Sequence, residues 1–343
     1  MSATPMPVWS IMTVARAGSG ASFCDDSRRD DRKSQACAFA PTRVACALVT
    51  IEKATNVGPA RIDIAYERLG DAHAPPVLLI MGIGAQLIAW PDGFCDELVG
   101  HGLQVVRFDN RDVGQSTHLS TAPSPNIPAA LAGDHSAASY TLSDMAADSV
   151  GLLDALGLDS AHIVGASMGG FIAQTIAIEH PDRVRSLTSM MSTTGDRSVG
   201  QPHGDAMRIF AGPPPTSREE VVERARAAFR IIGSPGFALD LDGIAVRAGR
   251  AYDRAFDPLG IARQAVAVIA SGDRTARLRS LEVPALVIHG ADDPMIDVSG
   301  GRATASAIPG AELVVMDGMG HDLPPAVWPQ VATKIAELVQ RRR

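Results

Sequence analysis

The residues Gly165-Ala166-Ser167-Met168-Gly169 form a G-x-S-x-G motif in which a serine lies between small residues. An apolar run from His162 to Val164 precedes the motif, and a segment with helical spacing from Gly170 to Glu179 follows it. A tight strand-to-helix turn exposes its serine to substrate, and glycines allow the two elements to approach closely. The pattern therefore predicts that Ser167 is a nucleophile.

A serine hydroxyl is a weak nucleophile until a histidine removes its proton and an acid orients that histidine. Two later loops offer these groups, and each follows an apolar run. They are Gly290-Ala291-Asp292-Asp293-Pro294 and Asp317-Gly318-Met319-Gly320-His321-Asp322. The chain order serine, acid, histidine agrees with a catalytic triad, and His321 is the predicted base. We interpret Asp317 and Asp322 as loop-capping or solvated carboxylates.

These motifs resemble those of the α/β-hydrolase superfamily, and the resemblance covers about residues 62–339. Met81-Gly82-Ile83-Gly84 is similar to the family's oxyanion loop, with Met81 in place of the usual histidine. The segment from Asp109 to Ser116 is similar to the family's D-x-R-G-x-G-x-S turn, with Asp112 in place of one glycine. Within the superfamily, G-A-S-M-G-G and G-M-G-H-D-L-P most resemble the carboxylesterase branch that includes the aclacinomycin methylesterase type.

The resemblance implies roles for further residues. The backbone amides of Ile83 and Met168 would form the oxyanion hole. Similar family members carry the acid three residues after the glycine that ends the strand, which favours Asp293 over its neighbour Asp292. Asp196 is a third candidate, because some relatives carry the acid after the preceding strand.

The apolar runs predict an α/β fold with a mostly parallel sheet covered by helices on both faces. The alternation of Ile62, Ile64 and Tyr66 predicts an edge strand. The other predicted strands are Val77 to Ile80, Val105 to Phe108, Ala161 to Val164, Leu187 to Met191, Ala285 to His289 and Leu313 to Met316.

The interval of about residues 195–280 contains no strong strand pattern, and we predict that it is a helical cap. Gly212-Pro213-Pro214-Pro215 would form a stiff entry hinge, and Ser217 would cap a helix. A cap over the serine would supply the substrate pocket. Its candidate lining residues, although each is more often a core residue, are Phe210, Phe229, Phe237, Tyr252 and Phe256.

The composition excludes several classes of partner. The chain has 343 residues, a net charge of −7 and a pI of about 5.7. Apart from the three arginines at its end, it has no basic cluster that could bind nucleic acid or an anionic membrane. Its cysteines, Cys24, Cys37, Cys46 and Cys95, lack metal-binding spacing, so we predict no metal, no cofactor and a reducing, cytoplasmic setting.

The predicted function is hydrolysis of a carboxylic ester of a small or medium-sized molecule by a serine nucleophile. Relatives that open epoxides or haloalkanes place an aspartate at the position of Ser167, which excludes those reactions. Cleavage of a C–C bond, enol-lactone hydrolysis, acyl transfer and perhydrolysis would use the same triad and stay open. A ligand-sensing member of the fold is the alternative that is not an enzyme.

Residues 1–48 are rich in Ser, Ala and Arg and lack a periodic apolar pattern, which predicts a disordered extension before a hydrolase domain at residues 49–343. Such a segment cannot offset an ordering entropy of about 1 to 2 kcal/mol per residue. Deleting residues 1–48 should therefore leave the melting temperature and the kcat/KM for ester hydrolysis unchanged. A melting temperature several degrees lower would mean that the segment packs on the domain.

Overall fold

The computed structural model describes residues 50–210 and 212–341 of the chain. The predicted disordered extension, including Cys24, Cys37 and Cys46, lies outside these ranges. The side chain of Phe210 lies outside the described part as well.

The described residues form an eight-stranded sheet in the order β1-β2-β4-β3-β5-β6-β7-β8. The pairs β1/β2 and β2/β4 are antiparallel, and all the other pairs are parallel. The strands are β1 (Glu52–Val57), β2 (Ile62–Leu69), β3 (Pro76–Ile80), β4 (Gln104–Phe108), β5 (Ala161–Ala166), β6 (Val184–Met190), β7 (Ala285–Gly290) and β8 (Glu312–Met316).

A strand at Ile62 is present, but its predicted position at the edge of the sheet is wrong, because β2 lies between β1 and β4. The edge on that side is β1, a strand that was not predicted from the sequence. Only Ala54 and Val57 of this strand are buried, so its apolar residues do not alternate and it lacks the signal of a half-buried strand.

Helices cover both faces of the sheet. They are α1 (Asp92–Gly100), α2 (Ile127–Leu131), α3 (Leu142–Ala155), α4 (Met168–Glu179), α5 (Arg218–Ile232), α6 (Leu241–Arg254), α7 (Pro258–Ser271), α8 (Thr275–Leu278), α9 (Val298–Ala307) and α10 (Trp328–Gln340), with short 3₁₀ turns at Leu87–Ala89, Pro181–Arg183, Ala206–Phe210 and Pro325–Val327. Among residues 50–210 and 212–341, no helix combines the length and the apolar character needed to cross a membrane.

The central strand β3 shows how the sheet separates two cores. Leu78 and Ile80 point into a cluster formed with α3, α4 and α9, whereas Val77 and Leu79 point into a cluster formed with α1 and α10. All four side chains are fully buried. Successive residues of a strand face opposite sides, so a continuous apolar run fits a strand that is covered on both faces.

Helices α5–α8 lie between β6 and β7, and we call residues 195–280 the cap segment. Ion pairs join it to the turn that follows β4. Arg254 contacts the fully buried carboxylate of Asp109 at 2.8 Å. Arg263 donates through Nε and Nη2 to both oxygens of Asp112, each at 2.8 Å, and this carboxylate is also fully buried.

Asp112 stands where the related motif has a glycine. Its φ of 68° lies in the left-handed region, which glycine adopts freely and which aspartate tolerates better than most residues. Its carboxylate also accepts hydrogen bonds from the Tyr140 hydroxyl at 2.8 Å and the Leu119 amide at 2.7 Å. The departure from the motif thus adds a buried anion that binds a cap arginine.

The ion pair yields a prediction about stability. Asp112→Asn should lower the free energy of unfolding by about 3 to 5 kcal/mol, because it leaves the buried Arg263 without its bidentate partner. Asp253→Asn is the matched control, since Asp253 pairs with Arg218 on the surface, and it should cost about 1 kcal/mol or less. Urea denaturation measures both values, and equal losses in the two variants would contradict the assignment.

Candidate active site

Strand β5 leads into a strained turn at Ser167, which has φ 56° and ψ −122°. A Cβ atom at Gly165 would lie 2.0 Å from the carbonyl oxygen of Gly169, and one at Gly169 would lie 2.0 Å from that of Ile80. Both distances are far below van der Waals contact, so only glycine fits. The glycines of the motif therefore let α4 begin directly after the serine, with Ser167 at its N-terminus.

The structure brings Ser167, His321 and Asp293 together from three loops. His321 Nε2 lies 3.1 Å from Ser167 Oγ, and His321 Nδ1 lies 2.7 Å from Asp293 Oδ2. A carboxylate only accepts hydrogen bonds, so Nδ1 carries the proton and Nε2 is free to accept one from the serine. The other carboxylate oxygen, Oδ1, accepts bonds from the amides of Met295 and Ile296, each at 2.9 Å.

The alternative acids have other partners. Asp292 Oδ2 accepts a hydrogen bond from the Gly318 amide at 2.9 Å, so this carboxylate holds the loop of the histidine without reaching its ring. Asp196 Oδ1 accepts from the amide and the hydroxyl of Ser198, each at 2.8 Å, and these bonds lower the pKa of Asp196. Asp293 is the carboxylate that the geometry joins to His321.

A second histidine, His289, lies behind the acid. Its Nε2 is 2.8 Å from the Ile296 carbonyl oxygen and 3.5 Å from Asp293 Oδ2. Burial lowers the pKa of His289, which keeps the ring neutral with its proton on Nε2. By holding Ile296, this residue fixes the loop whose amides bind Asp293.

The loop after β3 packs against the serine. A Cβ atom at Gly82 would lie only 3.1 Å from Ser167 Cβ. The Gly84 amide donates to Gln264 Oε1 at 2.8 Å, and the Ala85 amide donates to the Gly82 carbonyl at 3.2 Å. Within the described residues, the Ile83 amide forms no hydrogen bond, which leaves this donor for a ligand.

Two side chains support this loop where Met81 replaces the usual histidine. Asn110 Nδ2 donates to the Met81 carbonyl at 3.1 Å. Gln264, on α7, bonds the loop through Oε1 and donates through Nε2 to the Arg111 carbonyl at 2.8 Å. Neither role is predicted by the sequence. Asn110 lies inside the motif from Asp109 to Ser116, but no local pattern marks Gln264.

A cavity of about 1340 Å³ opens over Ser167 and His321. Of the aromatic residues proposed as its lining, Phe229 contributes to the wall. Phe237 packs against the core instead, and Tyr252 packs on Phe256 with ring centroids 5.2 Å apart. The cap segment supplies other apolar residues of the wall, among them Ile232, Ile244, Ala248, Ala251, Val268 and Ile269.

Asp112, His118 and Asp257 lie close enough together to suggest a metal site. Protein groups already occupy these donors, however. His118 Nδ1 lies 2.9 Å from Asp257, and its Nε2 lies 2.9 Å from the Gly114 carbonyl oxygen. Burial lowers the pKa of His118, but these two hydrogen bonds outweigh it and raise the pKa above its ordinary value. Both ring nitrogens of His118 thus face protein oxygens, and the contact with Asp257 joins the turn after β4 to the cap segment.

A family model for the alpha/beta hydrolase fold matches residues 75–233. Over 291 residues, the chain is 31% identical to the rhodomycin D methylesterase DnrP of Streptomyces peucetius, and the match covers 78% of this chain and 92% of that protein. The chain belongs to the α/β-hydrolase family. The predicted fold class and the predicted similarity to methylesterases are confirmed.

Solved structures agree with this assignment. A hydrolase from Pseudomonas aeruginosa PA01 matches with a TM-score of 0.61 and 25% identity, over 86% of this chain and 98% of that one. The enol-lactonase from Burkholderia xenovorans LB400 matches with a TM-score of 0.63 and 22% identity, over 82% and 98%. At that identity, the second match shows the shared fold alone.

The cavity wall of this hydrolase also contains a buried cation, Arg274, which the sequence analysis did not identify. Its guanidinium donates to Gln174 Oε1 and to the carbonyl oxygens of Thr193 and Gly272, each at 3.1 Å. These acceptors are neutral, and burial lowers the pKa of Arg274 to about 10. The bonds fasten the segment after β6 to α4, the helix that follows the serine.

The geometry gives a prediction about the acid. Asp293→Asn should lower kcat by about 10⁴-fold, because an amide disfavours the required tautomer of His321. Asp292→Asn and Asp196→Asn should lower kcat far less. Each asparagine retains an oxygen acceptor for its own hydrogen bonds, and neither position contacts the imidazole. Steady-state ester hydrolysis by the three purified variants measures the difference. A near-normal Asp293→Asn beside an inactive Asp196→Asn would move the acid to the segment after β6.

Proposed function

We propose that this protein is a serine esterase that cleaves a carboxylic ester through an acyl-enzyme. The observation that carries the proposal is the continuous set of hydrogen bonds from Ser167 through His321 to Asp293, at the floor of a large cavity. In such an arrangement, the histidine acts as base for the serine, and the carboxylate orients the imidazole and stabilises its charge.

In the first step, Ser167 Oγ attacks the carbonyl carbon of the ester while His321 Nε2 takes the hydroxyl proton. The negative charge that develops on the carbonyl oxygen is bound by the amides of Ile83 and Met168. Met168 is the first residue of α4, where the helix dipole also favours an anion. Each donor of this kind contributes about 3 kcal/mol to transition-state stabilisation.

The tetrahedral intermediate then collapses. The bond from carbon to the alkoxy oxygen breaks, and the alcohol leaves with the proton that His321 returns. Water attacks the acyl-enzyme by the same route, with His321 again accepting a proton, and releases the carboxylic acid and free Ser167. Asp293 orients the imidazole in both steps.

The cavity supports a bulky, largely apolar substrate. Its volume of about 1340 Å³ is above the range of about 300 to 1000 Å³ that is usual for small-molecule sites. The similarity to a protein named rhodomycin D methylesterase supports a small alcohol as leaving group. We therefore propose that the preferred substrate is the methyl ester of a bulky apolar acid.

A panel of methyl esters of increasing acid size tests the proposal. The kcat/KM should rise with apolar bulk until the cavity is filled, and a fluorophosphonate should label Ser167. Ser167→Ala should lower turnover by about 10⁶-fold and abolish labelling, because the triad acts as a unit. Ser198→Ala is the matched control, since Ser198 is exposed and bonds Asp196, and it should retain both activity and labelling.

Other outcomes would identify the alternatives. Retention of a tenth of the activity by Ser167→Ala would exclude Ser167 as the nucleophile. Labelling without turnover of any ester would favour the ligand-sensing role. Turnover restricted to lactones or to C–C substrates would replace the ester assignment while keeping the triad.

A further inference from the structure

The loop of the histidine is bonded to the cap segment. We call residues 317–322 the histidine loop and residues 232–236, which begin at the last residue of α5, the cap turn. The His321 amide donates to the Ile232 carbonyl at 2.7 Å, and the Gly236 amide donates to the Gly318 carbonyl at 2.9 Å. The attachment therefore includes the backbone of the predicted base itself.

One side chain of the cap turn adds a second link. The Ser234 hydroxyl donates to Asp322 Oδ1, while Ser234 Oγ accepts from the Gly320 amide at 2.9 Å. Ser234 is only 6% exposed, so water cannot readily replace either bond. This single hydroxyl holds the residue before His321 and the residue after it.

The two segments also pack closely. A Cβ atom at Gly320 would lie 2.5 Å from the Gly233 carbonyl oxygen, and one at Gly236 would lie 2.6 Å from Gly318 Cα. Backbone in such close contact cannot slide without breaking the hydrogen bonds. A shift of the cap turn is thus transmitted to the histidine loop.

We propose that Ser234 is a positioning residue for His321. Through Gly320 and Asp322, it makes the distance between the imidazole and Ser167 depend on the docking of the cap segment. The inference rests on the proposed function. The 3.1 Å between His321 Nε2 and Ser167 Oγ leaves little tolerance. A misplacement of about 1 Å can cost about 10²-fold in rate.

Asp322 is the other partner in this link. The sequence analysis interpreted it as a loop-capping or solvated carboxylate, but it lies partly buried at the cavity. Burial raises the pKa of Asp322, whereas the bond from Ser234 and the nearby His321 act in the opposite direction. Ser234 is thus the hydrogen-bond partner of a partly buried carboxylate next to the predicted base.

Variants of the full chain test the proposal with p-nitrophenyl butyrate as substrate. Ser234→Ala should lower kcat by about 10- to 100-fold with little change in KM, because ester binding does not use this hydroxyl. Asp322→Ala should do the same, and Asp322→Asn, which keeps the Oδ1 acceptor, should retain most of the rate. The double variant Ser234→Ala/Asp322→Ala should be no slower than Ser234→Ala, because that substitution already removes both hydrogen bonds of the link.

Two control variants separate this effect from general loosening of the cap or the loop. Ser217→Ala removes the N-cap bond of α5 on the exposed side of the cap segment. Asp317→Asn changes an exposed carboxylate of the histidine loop. Both should keep the wild-type kcat. If Ser217→Ala is as slow as Ser234→Ala, the positioning role is excluded.

A second measurement needs no turnover. The proton that His321 Nδ1 shares with Asp293 should give a low-field ¹H NMR signal, assigned by its loss in His321→Gln. The signal should persist in Ser217→Ala and disappear or broaden in Ser234→Ala. An unchanged signal and an unchanged kcat in Ser234→Ala would overturn the inference. Absence of ester turnover in the wild type would overturn the proposed function, and the NMR comparison would still decide the role of Ser234.

Discussion

Two carboxylates without any solvent exposure, those of Asp109 and Asp112, impose the main constraint on this fold. A buried anion is tolerated only with a cation and hydrogen bonds around it. Backbone amides supply part of these bonds: Asp109 accepts from Gln115 in its own turn and from Leu87 in the 3₁₀ turn after β3. The cations, Arg254 and Arg263, come from the cap segment, so docking of the cap completes the electrostatics of the core.

Catalytic geometry follows from the same docking. Helix α7, which carries Arg263, also carries Gln264, and this residue bonds the loop that offers the Ile83 amide. The cap turn bonds the backbone of His321 through the Ile232 carbonyl. The sheet therefore fixes the serine and the acid, while the cap segment braces the remaining two parts of the site. The same contacts of the cap segment therefore hold both the pocket and the catalytic residues in place.

The sequence predicts well those parts of the site that backbone geometry restricts. Only glycine fits at positions 165 and 169, so the turn around Ser167 requires a motif that is visible in the sequence. The choice of Asp293 over Asp292 followed from spacing within the family. Asp292 bonds the Gly318 amide whereas Asp293 bonds the His321 ring, and a single sequence does not contain that difference.

Residues that act through distant partners could not be predicted. Gln264 lies 180 positions from Gly84, and Ser234 lies 86 positions from Gly320, with no local pattern at either one. Strand β1 was missed for a different reason, because its exposed edge position requires few apolar residues. The departure at Asp112 was visible in the sequence, but its partner on α7 appears only in the folded chain.

The pairing of Asp112 with Arg263 restricts how this enzyme can be recombined with its relatives. A chimaera that takes its cap from a homologue with glycine at the position of 112 would bury the Asp112 carboxylate opposite a residue never selected to neutralise it. The reverse exchange would leave the buried Arg263 without its bidentate partner, with the single contact to Asp257 in its place. Positions 112 and 263 should accordingly be inherited together, and exchange of the cap to alter substrate preference has to move both ends of that contact.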